Sequence, residues 1–211
     1  MKIFVIESPS PDDQLEGINE AESILSMSKM FGHKAAAFFV KSEVELLSTI
    51  KYLSDIDVKS SDLYCYHFSC HGNDEGLLFG TDFLTWKEFT TALIPIFEKK
   101  ELMGRFLISI SACGANQQKL TSNIKILDPV SKPSYVFVCD DDQVKWRDAL
   151  LNWTILYHRL VKIKDTEPSS VKKLMKAIQS LGVSGLIYFR LADDEKRYLK
   201  FASKKPELVS H

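Results

Sequence analysis

Leu63-Tyr64-Cys65-Tyr66-His67-Phe68-Ser69-Cys70-His71-Gly72 is the stretch whose reading decides the fold, and a second stretch repeats its design: Arg105-Phe106-Leu107-Ile108-Ser109-Ile110-Ser111-Ala112-Cys113-Gly114. Each is a short run of apolar and β-prone residues, the pattern of a strand covered on both faces. Each stops at a chemically active side chain followed by glycine, His71-Gly72 in the first and Cys113-Gly114 in the second. Two such strands place an imidazole and a thiol at one edge of a parallel sheet, where α/β folds carry their sites. That pairing is the outline of a cysteine nucleophile with a histidine base. Glycine lets the backbone turn sharply and lets its N–H approach a ligand. The backbone N–H groups of Gly72 and Cys113 are therefore candidate oxyanion donors.

Outward from these two strands, the chain alternates. Lys2 to Glu7 reads as a buried strand, and Ser8-Pro9-Ser10-Pro11-Asp12-Asp13 supplies a cap, an early proline and first-turn acids. One helix is expected from there to about Phe31, with Ile18, Ala21, Ile24, Leu25 and Ser28 inward and Gly32 at its stop. Ala35 to Val40 is the next strand. Ser42 and Glu45 have capping-box spacing before a helix on which Val44, Leu47, Ile50 and Leu53 recur. Glu75 to Phe79 reads as a short β segment before a second capping box, Thr85-Trp86-Lys87-Glu88, and Pro95 ends the helix that follows. Gly114 to Leu120 is expected to form a helix whose positive end faces the thiol. Thr121 to Ser134 shows no clear period and is expected to be a mobile loop.

Tyr135 to Cys139 is a fifth strand running into Asp140-Asp141-Asp142. Val144 to Lys162 fits an amphipathic helix with Trp146, Leu150, Trp153 and Tyr157 on one side, and Pro168 to Leu181 fits another. Gly185 to Leu191 and Arg197 to Ala202 bracket a charged turn and read as a closing β-hairpin. Strand and helix in alternation predict an α/β fold, a mostly parallel sheet with right-handed crossovers. No repeat or linker divides residues 1–211, so a single domain is expected.

The totals narrow the function. A length of 211 residues, 45% of them hydrophobic and 26% charged, suits a folded domain large enough to be an enzyme. A net charge of −1 gives no reason to expect nucleic acid or an anionic membrane as partner. Cys65, Cys70, Cys113 and Cys139 are too few for a secreted disulfide framework and are expected to be reduced. Only five apolar residues precede Glu7, which fits neither a signal peptide nor a membrane span, so a cytoplasmic location is expected. No cofactor is expected: no phosphate-loop or Gly-x-Gly-x-x-Gly pattern follows any strand. A zinc site drawing on His67, Cys70, His71 and Cys113 is disfavoured, because Cys70 and His71 are adjacent on a strand and point to opposite faces.

Several polar residues admit two readings. One of Asp140, Asp141 and Asp142 could line a substrate pocket for a basic side chain; a solvated turn and a helix cap is the competing role. Asn73, Asp74 and Glu75 carry the same ambiguity. Cys65, His67 and the three tryptophans read as packing residues.

Around Cys113 the sequence Ser111-Ala112-Cys113-Gly114-Ala115 shares the Ala-Cys step of the caspase pattern but lacks its flanking glutamine and second glycine, and His71 lies 42 residues upstream. Taken in order, His67-Phe68-Ser69-Cys70-His71-Gly72, Leu77-Leu78-Phe79, Leu84-Thr85-Trp86-Lys87-Glu88-Phe89 and Ile108-Ser109-Ile110-Ser111-Ala112-Cys113 resemble the CHAT family of caspase-like cysteine peptidases. The similarity is close over about Leu63 to Cys113 and looser to about Leu160. It implies a caspase-like fold, His71 as general base and acid, and Cys113 as a nucleophile that forms a thioester with a protein substrate. It also implies a setting in bacterial defence or regulated proteolysis, with control from a regulatory partner chain, a precursor form or oligomerisation. The alternative is a catalytically silent caspase-like module that only binds a protein partner.

Overall fold

The computed structural model describes residues 1–115, 118–139, 145–160, 162, 167–181 and 185–201. In chain order, β1 (Lys2–Ser8) is followed by α1 (Pro11–Leu15), α2 (Glu20–Met30), β2 (Lys34–Phe39), α3 (Glu43–Asp55) and β3 (Tyr64–Gly72). A small excursion, β4 (Gly76–Phe79) and β5 (Asp82–Thr85), leads to α4 (Trp86–Ala92) and α5 (Ile94–Phe97). Then come β6 (Phe106–Ser111), α6 (Lys119–Leu127), β7 (Tyr135–Cys139), α7 (Trp146–Leu160), α8 (Pro168–Ser180), β8 (Leu186–Leu191) and β9 (Tyr198–Phe201).

The strands form one mixed sheet of order β2-β1-β3-β6-β7-β8-β9, with β4 pairing β3 and β5 off that path. The first five are parallel, while β8 and β9 join antiparallel. The fold is therefore α/β, a mostly parallel central sheet flanked by helices. The chain leaves β1 toward β2 and returns to the other side of β1 as β3, so the strand order reverses between β1 and β3. Crevices form at such a point.

The period of two along each strand separates two cores. Phe4, Tyr66, Phe68, Ile108 and Ile110 face one layer with residues of α3 to α6, whereas Val5, Cys65, Leu107 and Phe137 face the other with residues of α2, α7 and α8. Counting by twos from Cys65 and Leu107 puts His67, Ser69 and His71, and likewise Ser109, Ser111 and Cys113, on the α2/α7 side.

The structure corrects several local expectations. The single helix expected up to Phe31 is two, because Gly17 at φ +70° breaks the chain and Asn19 caps a new start. On α3 the buried face is Leu46, Ile50 and Leu53; Val44 is 74% exposed, since at about 100° per residue it lies nearly opposite that face. The α-helix expected at Gly114 to Leu120 begins only at Lys119, behind a left-handed Gln118. The first half of the loop expected over Thr121 to Ser134 belongs instead to α6, where Leu120, Thr121 and Ile124 are buried on one face, and residues 128–134 are irregular as expected. Among the described residues no helix is long and apolar enough to cross a membrane.

Candidate active site

The register Ser69↔Ser111 between β3 and β6 brings His71 and Cys113 to the same sheet edge. Both line one small recess of about 40 Å³, together with Cys70, Ser111, Ala112 and Trp146. Two glycines make that approach possible. A Cβ on Gly114, which sits at φ +70°, would stand 2.2 Å from the Asn73 carbonyl carbon and 2.4 Å from the Asp74 nitrogen. A Cβ on Gly72 would meet the Cys113 carbonyl oxygen at 3.1 Å. The turn after β3 thus rests directly on the backbone carrying Cys113.

Backbone pairing also orients the Gly72 N–H. Asn73 N–H donates to the Gly76 carbonyl, so in the alternating antiparallel pattern Gly72 opposite Leu77 is a non-bonded pair. Tyr64 N–H donates to the Arg105 carbonyl, which sets the even residues of β3 to donate toward β6. Both observations direct the Gly72 N–H to the side of Cys113.

His71 is oriented from the crossover between β1 and β2. Its Nε2 lies 2.7 Å from Oδ2 of Asp13, on the short helix α1. Asp13 is itself held: its N–H donates to Ser10 Oγ, and the Ser10 hydroxyl and N–H donate back to Oδ2 at 2.7 and 2.8 Å. Burial alone would raise the Asp13 carboxyl, but the Ser10 hydroxyl and the His71 ring outweigh it and hold it below its ordinary value. An ionised carboxylate only accepts hydrogen bonds, so Nε2 carries the proton and Nδ1 is left for proton exchange. Trp146, the first residue of α7, stands edge-to-face to His71 with ring centroids 6.1 Å apart.

Beneath this edge lies a buried polar layer. Glu20 accepts from the Ser69 hydroxyl at 2.5 Å on one oxygen and from the Ser111 hydroxyl at 3.1 Å on the other, so one carboxyl ties the strands two residues before His71 and before Cys113. Trp153 Nε1–H donates to Ser111 Oγ at 3.0 Å. Glu7 accepts the N–H groups of Glu20 and Ala21 and so caps α2. Burial pushes the Glu7 carboxyl up to about 7. His67 is packed by Trp153 and bonded through Nδ1 to the Tyr157 hydroxyl at 2.6 Å. Cys65 is also buried in this layer, and burial raises its thiol to about 11.

Of the residues singled out from the sequence, His71, Gly72 and Cys113 come together. Cys113 is partly exposed, whereas Cys65, Cys70 and Cys139 are buried, and none of the four forms a disulfide. Asp140, Asp141 and Asp142 lie outside the described residues. Asp74 reaches Lys119 at 4.0 Å on the surface, and Asn73 caps its own turn through Glu75 and Gly76 N–H. Asp13, Glu20 and Glu7 were not apparent as site residues. The one signal for them was an acid at the end of a fully apolar strand, Glu7. Asp13 looked like any first-turn acid, because its contact with His71 spans 58 residues.

No family model matches the chain, and no curated protein matches it.

Proposed function

We propose that this protein is a cysteine endopeptidase of caspase-like, CHAT-like architecture that cleaves a protein substrate through a thioester acyl-enzyme. The observation that carries the reading is the convergence of Cys113, His71 and Asp13 at one crevice: the thiol and the imidazole line the same recess, and the carboxylate fixes the imidazole from behind. In the first step Nδ1 of His71 takes the thiol proton while Sγ bonds to the substrate carbonyl carbon. The developing oxyanion is met by the backbone N–H groups of Gly72 and Cys113. Collapse breaks the C–N bond, and the departing amine takes the proton from Nδ1. Water then attacks the thioester with Nδ1 again as base, releasing the carboxylic acid product and restoring the thiol.

The test compares wild type, Cys113→Ala and His71→Ala on a pool of fluorogenic peptides and on a mixture of proteins. Cleavage that both substitutions abolish is the expected result. Cleavage shared equally by all three proteins would sink the assignment.

A further inference from the structure

Resting on the peptidase reading above, we infer that the recess beside Cys113 receives the substrate side chain preceding the cleaved bond, and that it takes a small uncharged side chain such as alanine or serine while turning acidic ones away. Size is the first argument. The recess is small, about 40 Å³ against the roughly 10–15 Å³ that one water needs, so a methyl or hydroxymethyl group fits it better than a leucine or an arginine. Three of its walls do not yield: Cys70, Ser111 and Ala112 are at most 3% exposed and stand on or beside the two central strands. Trp146 is the wall that comes from a helix.

Polarity is the second argument, and it comes from different atoms. The Ser111 hydroxyl donates its proton to Glu20 and receives Trp153 Nε1–H, so it shows the recess only a lone pair. The Glu20 carboxyl lies behind it, and Asp13 lies on the far side of His71. No lysine or arginine is among the described residues lining the recess. An aspartate side chain would meet the Ser111 acceptor with the Glu20 carboxyl behind it, and the one titratable cation of the lining, His71, is already paired with Asp13, a like-charge arrangement that costs several-fold to many-fold in rate. A serine hydroxyl can donate to Ser111 Oγ, and an alanine asks for nothing. A lysine or arginine suits the charge but is long for so small a recess.

The experiment uses peptidyl acyloxymethyl ketones that differ only in the residue next to the warhead, alanine, serine, aspartate, leucine or arginine, on the full chain. Capture of Cys113 is followed by intact mass and peptide mapping. Alanine and serine probes are expected to react at least ~30-fold faster than the other three. Trp146→Ala is expected to narrow the alanine-over-leucine ratio ~10-fold, and Glu20→Gln the alanine-over-aspartate ratio by a similar factor. Should Glu20→Gln fail to fold, the wild-type series and Trp146→Ala still decide. Capture blind to the probe residue, or fastest with aspartate, overturns the subsite while leaving the nucleophile in place. Capture of Cys113 by none of the five overturns the peptidase reading and the subsite with it.

Discussion

At Asp13 two demands meet in one carboxylate, which closes the first turn of α1 with Ser10 and holds His71 Nε2 at 2.7 Å. Replacing it with asparagine keeps the size but offers an amide that can turn either its oxygen or its nitrogen to the ring, so the imidazole loses its fixed tautomer. We expect Asp13→Asn to lower kcat/KM about 100-fold, mostly through kcat; an unchanged kcat would remove Asp13 from the mechanism. Glu7 gives a second expectation at this scale. Its folded-state carboxyl titrates at about 7, above the ordinary 4.5, so the fold binds that proton more tightly than the unfolded chain does. The Glu7 contribution is therefore fully present below pH 4.5 and is lost as pH rises through about 7, a change of about 3 kcal/mol. Denaturant unfolding of wild type and Glu7→Gln from pH 5 to 8 checks this, with the wild-type minus variant difference expected to fall as pH rises. A difference that stays flat over that range would contradict it.

Among the elements, the turn after β3 and the segment after β6 are built against each other, and Gly114 is where they touch. Alanine there must adopt a left-handed φ and also displace Asn73 and Asp74, so Gly114→Ala is expected to cost about 2–4 kcal/mol of stability and to abolish turnover. A variant as active as wild type would show that the turn is free to move. This scale also shows where sequence pattern suffices. The strands of the central sheet were legible because their apolar runs end abruptly, whereas β5, only four residues long and opening on Asp82, was not; the capping box at Thr85 and Glu88 forms as its spacing implies. Helix faces were less legible: on α3 both Val44 and Leu46 are apolar, and only the position of the sheet decides which is buried. The break at Gly17 was hidden because acids and apolar residues continue in helical rhythm on both sides of it.

For the molecule as a whole, the sheet sets a gradient of order. β1, β3 and β6 are covered on both faces and paired on both sides, whereas β9 pairs with β8 alone among the described residues. Hydrogen exchange is expected to be slowest at Val5, Phe68 and Ile110, at rates set by global unfolding, and much faster at Leu199; the reverse order would contradict the topology. The same sheet explains what the sequence could show of the site. His71 and Cys113 announce themselves, each at the end of its own strand, and their common face follows from a period of two. Asp13 and Glu20 reach that edge from the crossover between β1 and β2, and no spacing in the chain encodes which side chain of a crossover will meet a strand end.

The central claim, a thiol made nucleophilic by His71 at this edge, is tested most directly by acylation with an activated ester, acetyl-alanine p-nitrophenyl ester. A burst of p-nitrophenol close to one equivalent per chain is expected, with the acetyl-alanyl group mapped to Cys113 and the burst at least ~100-fold slower in His71→Ala. Acylation that falls on other residues, or that proceeds at the same rate without His71, would contradict the account.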